Sequence, residues 1–234
     1  MRNKVFTRTE ELLKQVEDSQ MEAIEVVAKA MVETLDKGGI IQAFGSGHSI
    51  AGAKEICHRA GGFIPTKEIK EPAYGAYESI EGVGKSFMKK VDIRENDLVF
   101  FISNSGRNPL SVEMAVAAKE KGAKTVAVTS LEASKHLKPK SSIGKNLYEV
   151  CDFILDNCVP EGDAAVEIDG LDQKVCGMSS ITTGVLLEAV VYRAIEIMIE
   201  EGKEPLIYKS QNIDGGREFN EAIEKRYVDR LYRI

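Results

Sequence analysis

The chain has 234 residues, 43% of them hydrophobic and 29% charged, enough to bury one sizeable α/β core and ordinary for a soluble globular enzyme. Its formal net charge of −6 and lack of a basic block argue against a nucleic-acid partner, because backbone recognition needs clustered Lys and Arg. No apolar run approaches the ~20 residues that span a bilayer, and the opening "MRNKVFTRTEELLKQ" lacks the apolar core of a signal peptide, so the expected setting is cytoplasmic, with no membrane partner.

Along residues 8–36, Ile24, Val27, Ala28, Met31 and Leu35 recur at helical spacing before Lys37-Gly38-Gly39, which predicts a long amphipathic helix with a glycine stop. Ile40 to Phe44 reads as a short buried strand, residues 49–60 as a helix closed by Gly61-Gly62, and "FIPTKEI" as a second strand. Residues 71–87 have no clear period, and a loop of that length in a compact domain suggests function. Val99 to Ile102 is the third predicted strand. Asn108 and Pro109 follow as N-cap and first residue of a helix that ends at Lys121-Gly122. "TVAVTS" and "DFILDN" supply strands four and five, with a shorter helix between them. Residues 159–177 read as an acidic loop and 178–201 as a long, largely apolar helix. The tail has no core of its own and is expected to dock on a neighbour. The alternation predicts a doubly wound, three-layer α/β/α fold on a five-stranded parallel sheet. The expected segments are a helix over 1–36, one ligand-binding domain over 37–203 and a tail over 204–234.

Two glycine–serine turns stand out. "AFGSGHSIAGAKE" (43–55) and "VFFISNSGRNPLSVEMA" (99–115) both leave a predicted strand and enter a helix. In an open parallel sheet that is where ligands bind, facing the free N–H groups of helix N-termini. Gly45 and Gly47 let backbone approach an anion, Ser46 and Ser49 offer hydroxyls, and Ser103, Asn104 and Ser105 present three side-chain donors. Two such cradles on neighbouring strands fit one phosphate better than two separate ones. A dinucleotide fingerprint is disfavoured: Ile50 stands where the third glycine of GxGxxG belongs, although Glu68 lies where a ribose-binding acid would. No cofactor is expected. His48, Glu55, His58 and Glu188 are proper zinc ligand types, but their spacing matches no dedicated motif, so no metal is expected either. Cys57, Cys151, Cys158 and Cys176 form no CxxC pair and read as free thiols.

"FGSGHS" and "SNSGRNP" resemble the two phosphate loops of the sugar isomerase (SIS) domain family, over about residues 35–201, with phosphoheptose-isomerase-like proteins nearest in pattern. The tail "YKSQNIDGG" is similar to that of stand-alone bacterial SIS proteins. The resemblance implies that Ser103, Asn104 and Ser105 contact a sugar phosphate, with Asn108 replacing the usual Ser/Thr and Ser46, Gly47 and Ser49 completing the cradle. It also implies an aldose–ketose isomerase working through an enediol, and association as a homodimer or homotetramer.

Such chemistry needs a base over the C1–C2 pair and an acid/base to open the ring. His48, inside the first loop, is the candidate for ring opening. Glu78, in the long loop, is favoured as the base, with Glu71 competing for the role. Glu188, the third catalytic candidate, interrupts the apolar helix "TTGVLLEAVVY", where a buried carboxylate needs a partner or a function, and suits holding a sugar hydroxyl or steadying a histidine. Glu55 and His58 share a helix face, where they either pair with each other or face the site, while His136 reads as solvated. Beside the isomerase stand two alternatives: a non-catalytic phosphosugar sensor, and a lyase or etherase acting on an amino-sugar phosphate.

Overall fold

In the computed structural model, which describes residues 3–233, the predicted helix and strands appear in the expected order; residues 1–2 and 234, the ends of the expected segments, lie outside that range. Helix α1 (Lys4–Asp36) opens the chain, with Asn3 capping it through Val5 N at 2.9 Å. Then follow β1 (Ile41–Gly45), α2 (Ile50–Ile56), β2 (Thr66–Ile69), α3 (Val83–Met88), β3 (Leu98–Ile102), α4 (Pro109–Glu120) and β4 (Lys124–Thr129). Next come α5 (Leu131–His136), α6 (Leu147–Val150), β5 (Phe153–Asp156), β6 (Ala164–Val166), β7 (Val175–Gly177) and α7 (Ser179–Glu200). Helices α8 (Gly216–Glu224) and α9 (Val228–Leu231) complete it.

Five parallel strands form one sheet in the order β2-β1-β3-β4-β5. Strand side chains alternate between its faces, as pleating requires. Ile41, Ala43, Phe100, Ile102, Val126 and Val128 meet α1, α2 and α7 in one cluster. Phe44, Val99, Phe101 and Ala127 meet α3, α4 and α6 in another. The central strands are buried on both sides and therefore read as continuous apolar runs. Helix α1 lies on α7 in the same chain, and Arg193 of α7 reaches Glu25 of α1 at 2.6 Å.

Four local expectations change. Helix α2 stops at Ile56 rather than near residue 60: His58 takes φ 53° and its backbone N–H donates to Thr66 Oγ1 at 3.1 Å, so the chain leaves the helix to meet β2. The segment 71–87 runs into α3, whose start is held from outside, since Glu113 of α4 accepts from Gly82 N at 2.7 Å and Lys85 N at 3.3 Å. The acidic segment 159–177 carries the antiparallel pair β6–β7, which covers the start of α1 around Leu12. The tail docks on its own chain. Ile207 bridges Phe63, Tyr208 and Ile223 pack on Ile64, and Arg230 pairs with fully buried Asp97 at 2.6 Å. Breaking such a buried pair costs about 3–5 kcal/mol, so Arg230 is a main tether of the tail. Among the described residues no helix is long and apolar enough to cross a membrane.

Candidate functional site

Strand order reverses direction between β1 and β3, the switch point where a parallel sheet opens a crevice at its carboxyl edge. The two glycine–serine turns leave these two adjacent strands. At Gly45 a Cβ would fall 2.2 Å from Ser49 O, so the backbone folds back on itself there in a way only glycine permits. Gly106 has φ +63°, and a Cβ on it would meet Ser134 Oγ at 2.8 Å. The second turn is also tied to its neighbouring strand, because Asn104 O accepts from Ser130 N and Thr129 Oγ1, both at 3.0 Å.

The hydroxyls are not equivalent. Ser46 is buried and donates to Glu71, so its one proton is committed within the protein. Among the described residues the hydroxyls of Ser49, Ser103 and Ser105 make no hydrogen bond. Gly47 has φ +55° and begins a 3-10 turn, Gly47–Ser49, on which His48 is exposed. Helix α2 behind that turn has seven residues, whereas α4 behind the second has twelve, so the second turn has the longer macrodipole aimed at it. Asn108 stands at the N-cap of α4 without capping it.

Its amide instead meets the long loop. Asn108 Nδ2 donates to Glu78 Oε2 at 3.0 Å, and Leu110 N donates to Glu78 O at 3.3 Å. The other carboxylate oxygen lies 3.1 Å from where a Cβ on Gly47 would be. Glu78 therefore spans both turns. Glu71 does a different job: it is buried and accepts from Ser46, from Gly75 N at 2.8 Å and from Tyr77 N at 3.4 Å. It anchors the loop that carries Glu78. Glu81 anchors its far end, accepting from Ser142 N, which holds the Glu81 carboxyl below its usual range.

Glu188 is not brought to these turns. Its side chain is half-exposed, but Oε1 is buried and lies 3.1 Å from Arg59 Nε, and Arg59 also pairs with Glu55. Glu55 thus faces Arg59 rather than His58, and His58 Nδ1 lies 3.2 Å from Tyr208 Oη. His136 is exposed at the end of α5. Among the described residues no group of three or more His, Cys, Asp or Glu stands close enough together to hold a metal ion.

The structure adds residues the sequence reading passed over. Asn157, just past β5, donates to Asn104 Oδ1 at 3.0 Å and to Thr183 Oγ1 at 3.2 Å. Ser179, Ser180 and Thr183, at the start of α7, line a narrow cleft with His48, Ser49 and Asn104. Asp163 holds the end of α7 there, accepting from Met178 N at 2.9 Å and Ser179 N at 2.7 Å. The signal was present: Asn157 follows a strand at the carboxyl edge, and "MSSITTG" puts several hydroxyls in the first turns of a long helix.

Residues 6–130 match the SIS domain family. The chain belongs to that family. A UPF0309 protein of Listeria monocytogenes is 48% identical over 229 residues, which cover 98% of each chain. In fold, the SIS chain is similar to a phosphoheptose isomerase from Francisella tularensis, with TM-score 0.59, 14% identity and coverage of 83% of this chain and 96% of that one. It is also similar to the Vibrio vulnificus NanR protein complexed with ManNAc-6P, with TM-score 0.57, 12% identity and coverage of 97% and 68%. The SIS match spans α1 through β4 and so includes both turns and the loop between them.

Proposed function

We propose that the protein binds a phosphorylated sugar or amino sugar across the two turns and isomerises it between aldose and ketose. The observation that carries this reading is the set of uncommitted hydroxyls, Ser49, Ser103 and Ser105, beside the α4 N-terminus, with the Glu78 carboxylate between the same two turns. Hydroxyls and backbone N–H groups at a helix start suit a phosphate irrespective of the net charge. The SIS family membership and the fold shared with a phosphoheptose isomerase support the same choice of ligand.

In this reading the phosphate rests on Ser103, Ser105 and Ser49, with Asn104 steadied by Asn157. Glu78 removes the C2 proton and returns it at C1, through the enediol, and His48 moves the proton that opens the ring. The loop over Gly47 lifts to admit the sugar and closes behind it, excluding water from the base. Arg59 engages Glu188 away from the turns, so Glu188 takes no proton here.

A second reading is a phosphosugar-binding protein without catalysis, favoured by the fold shared with a protein solved in complex with ManNAc-6P. A lyase or etherase would use the same phosphate cradle and the same glutamate. Incubation with a panel of sugar phosphates in D2O, followed by NMR at C2, separates them. Exchange with ketose formation supports the isomerase, saturable binding without exchange leaves the sensor, and elimination of a C3 substituent identifies the lyase.

A further inference from the structure

Asn157 is buried, and it sets the direction of the hydrogen bonds around the narrow cleft beside the first turn. Val159 N can only donate, so the Asn157 amide atom 3.2 Å from it is the oxygen, Oδ1. The nitrogen, Nδ2, then faces Asn104 at 3.0 Å and Thr183 at 3.2 Å and donates to both. Each of those side chains is left with a donor. Asn104 uses Oδ1 as the acceptor and keeps Nδ2, which can only donate. Thr183 accepts on Oγ1 and keeps its hydroxyl proton. Its methyl group rests on α2, where a Cβ at Gly52 would fall 2.9 Å from Thr183 Cγ2, and this packing holds the hydroxyl on the Asn157 side. Among the described residues neither remaining donor has a protein acceptor, and Asn104 Nδ2 is not shut off from solvent.

Both residues line the cleft, which His48 and Ser49 complete and whose free volume is about 10 Å³. That is room for about one oxygen atom, and a phosphate or an acetamido group is too large for it. The amides at the start of α7 are already taken, since Asp163 accepts from Met178 N and Ser179 N. Two fixed donors around a space of this size suit a lone acceptor oxygen, above all one that gains negative charge during a reaction.

We propose that the cleft holds the carbonyl oxygen of the open-chain sugar, with Asn104 Nδ2 and the Thr183 hydroxyl donating to it and Asn157 as the positioning residue behind both. This rests on the isomerase reading of the same site. When Glu78 takes the C2 proton of the aldose, the C–H electron pair becomes the C1=C2 bond and the carbonyl pair moves onto O1. The two donors hold that charge. The C1=C2 pair then takes the proton back at C1, the O2 hydroxyl proton passes to O1, and C2 becomes the carbonyl.

The test compares two phosphate ligands by calorimetry on the full chain, and so reads binding without turnover. One is 5-phospho-D-arabinonohydroxamate, whose planar oxygen mimics the enediolate; the other is D-arabinitol 5-phosphate, which has no such oxygen. The hydroxamate should bind about tenfold tighter or more. Thr183→Val removes the hydroxyl and should cut that preference about fivefold or more, while Thr183→Ser keeps it and both leave the arabinitol phosphate Kd within about twofold of wild type. Asn157→Asp replaces the donor Nδ2 by an acceptor, so Asn104 and Thr183 turn their protons inward and Asn104 Oδ1 faces the cleft; the preference should disappear. Equal binding of the two ligands by the wild type overturns the oxygen cleft and leaves the phosphate cradle standing. An unchanged preference in Thr183→Val or Asn157→Asp overturns it as well, and so do equal losses for both ligands, which would make the network merely structural. Binding of neither ligand would remove the phosphosugar reading and this inference with it.

Discussion

Asn108 Nδ2 donates to Glu78 Oε2 at 3.0 Å, joining the loop after β2 to the residue that precedes α4. The two residues are thirty apart in the chain, and their contact brings a carboxylate to the carboxyl edge of the sheet beside both glycine turns. Glu71, which competes for the catalytic role by position in the sequence, is turned inward to Ser46 and the loop backbone.

Glu78→Gln keeps the shape and an acceptor for Asn108 but removes the base. It should reduce C2 exchange on the true substrate by about 100-fold or more, while the affinity for the phosphate moiety stays within about twofold of wild type, both read by NMR titration and exchange. Full activity in this variant, with loss in Glu71→Gln or Glu188→Gln, would move the role to the other glutamate.

Glu71→Ala strands three donors, the buried Ser46 Oγ and the part-buried amides of Gly75 and Tyr77. A buried donor left unpaired, as Ser46 Oγ would be, costs about 1–3 kcal/mol, so urea denaturation should show a lower midpoint for Glu71→Ala and near wild-type stability for Glu78→Gln. Equal stability of the two would mean that Glu71 does not anchor the loop.

Ser105→Ala removes an uncommitted hydroxyl from the second turn. A charge-assisted hydrogen bond to phosphate is worth ~1.5 kcal/mol or more, so the sugar-phosphate Kd should rise about tenfold. Ser46→Ala should change it less, because the Ser46 proton is held by Glu71. Calorimetry that ranks the two variants the other way round would place the phosphate on the first turn's buried serine.

Along α7, Ile181, Val185, Tyr192 and Ile199 are exposed at 43%, 47%, 65% and 62%, and their spacing puts them on one stripe. Exposed apolar side chains also lie on α1 (Phe6, Met21 and Val26) and in the tail (Ile213, Val228 and Tyr232), so this stripe is one apolar surface available for self-association. Light scattering at micromolar concentration should report a dimer or tetramer for the wild type and smaller species for Val185→Lys combined with Tyr192→Lys. A wild-type monomer would remove the expectation of an oligomer.

Glu25 is held at a pKa of about 2 by Arg193, with Lys29 adding to it, against an ordinary value of 4.5. A lowered folded-state pKa contributes stability that is complete above 4.5 and is lost as the pH falls from there through about 2. The melting temperature should therefore fall over that range, and more shallowly in Glu25→Gln. Parallel curves for the two proteins would show that the pair between α1 and α7 carries no such linkage.

The order of the sheet elements was legible because it is written in local patterns: apolar runs for central strands, a 3.6-residue period for α1, and Asn108-Pro109 for the start of α4. The two turns could be read for the same reason, since their glycines answer constraints set within a few residues, as at Gly45 against Ser49. What those patterns do not carry is any contact made at long range. Helix α3 begins where Glu113 of another helix holds it, and α2 ends early because Thr66 takes the amide of His58. The division of labour among glutamates is of the same kind. By sequence alone, Glu71, Glu78 and Glu188 are three carboxylates in plausible places. Only the folded chain sets Glu71 on Ser46, Glu188 on Arg59 and Glu78 on Asn108, because a carboxylate's role follows from which donors the tertiary structure brings within reach of it.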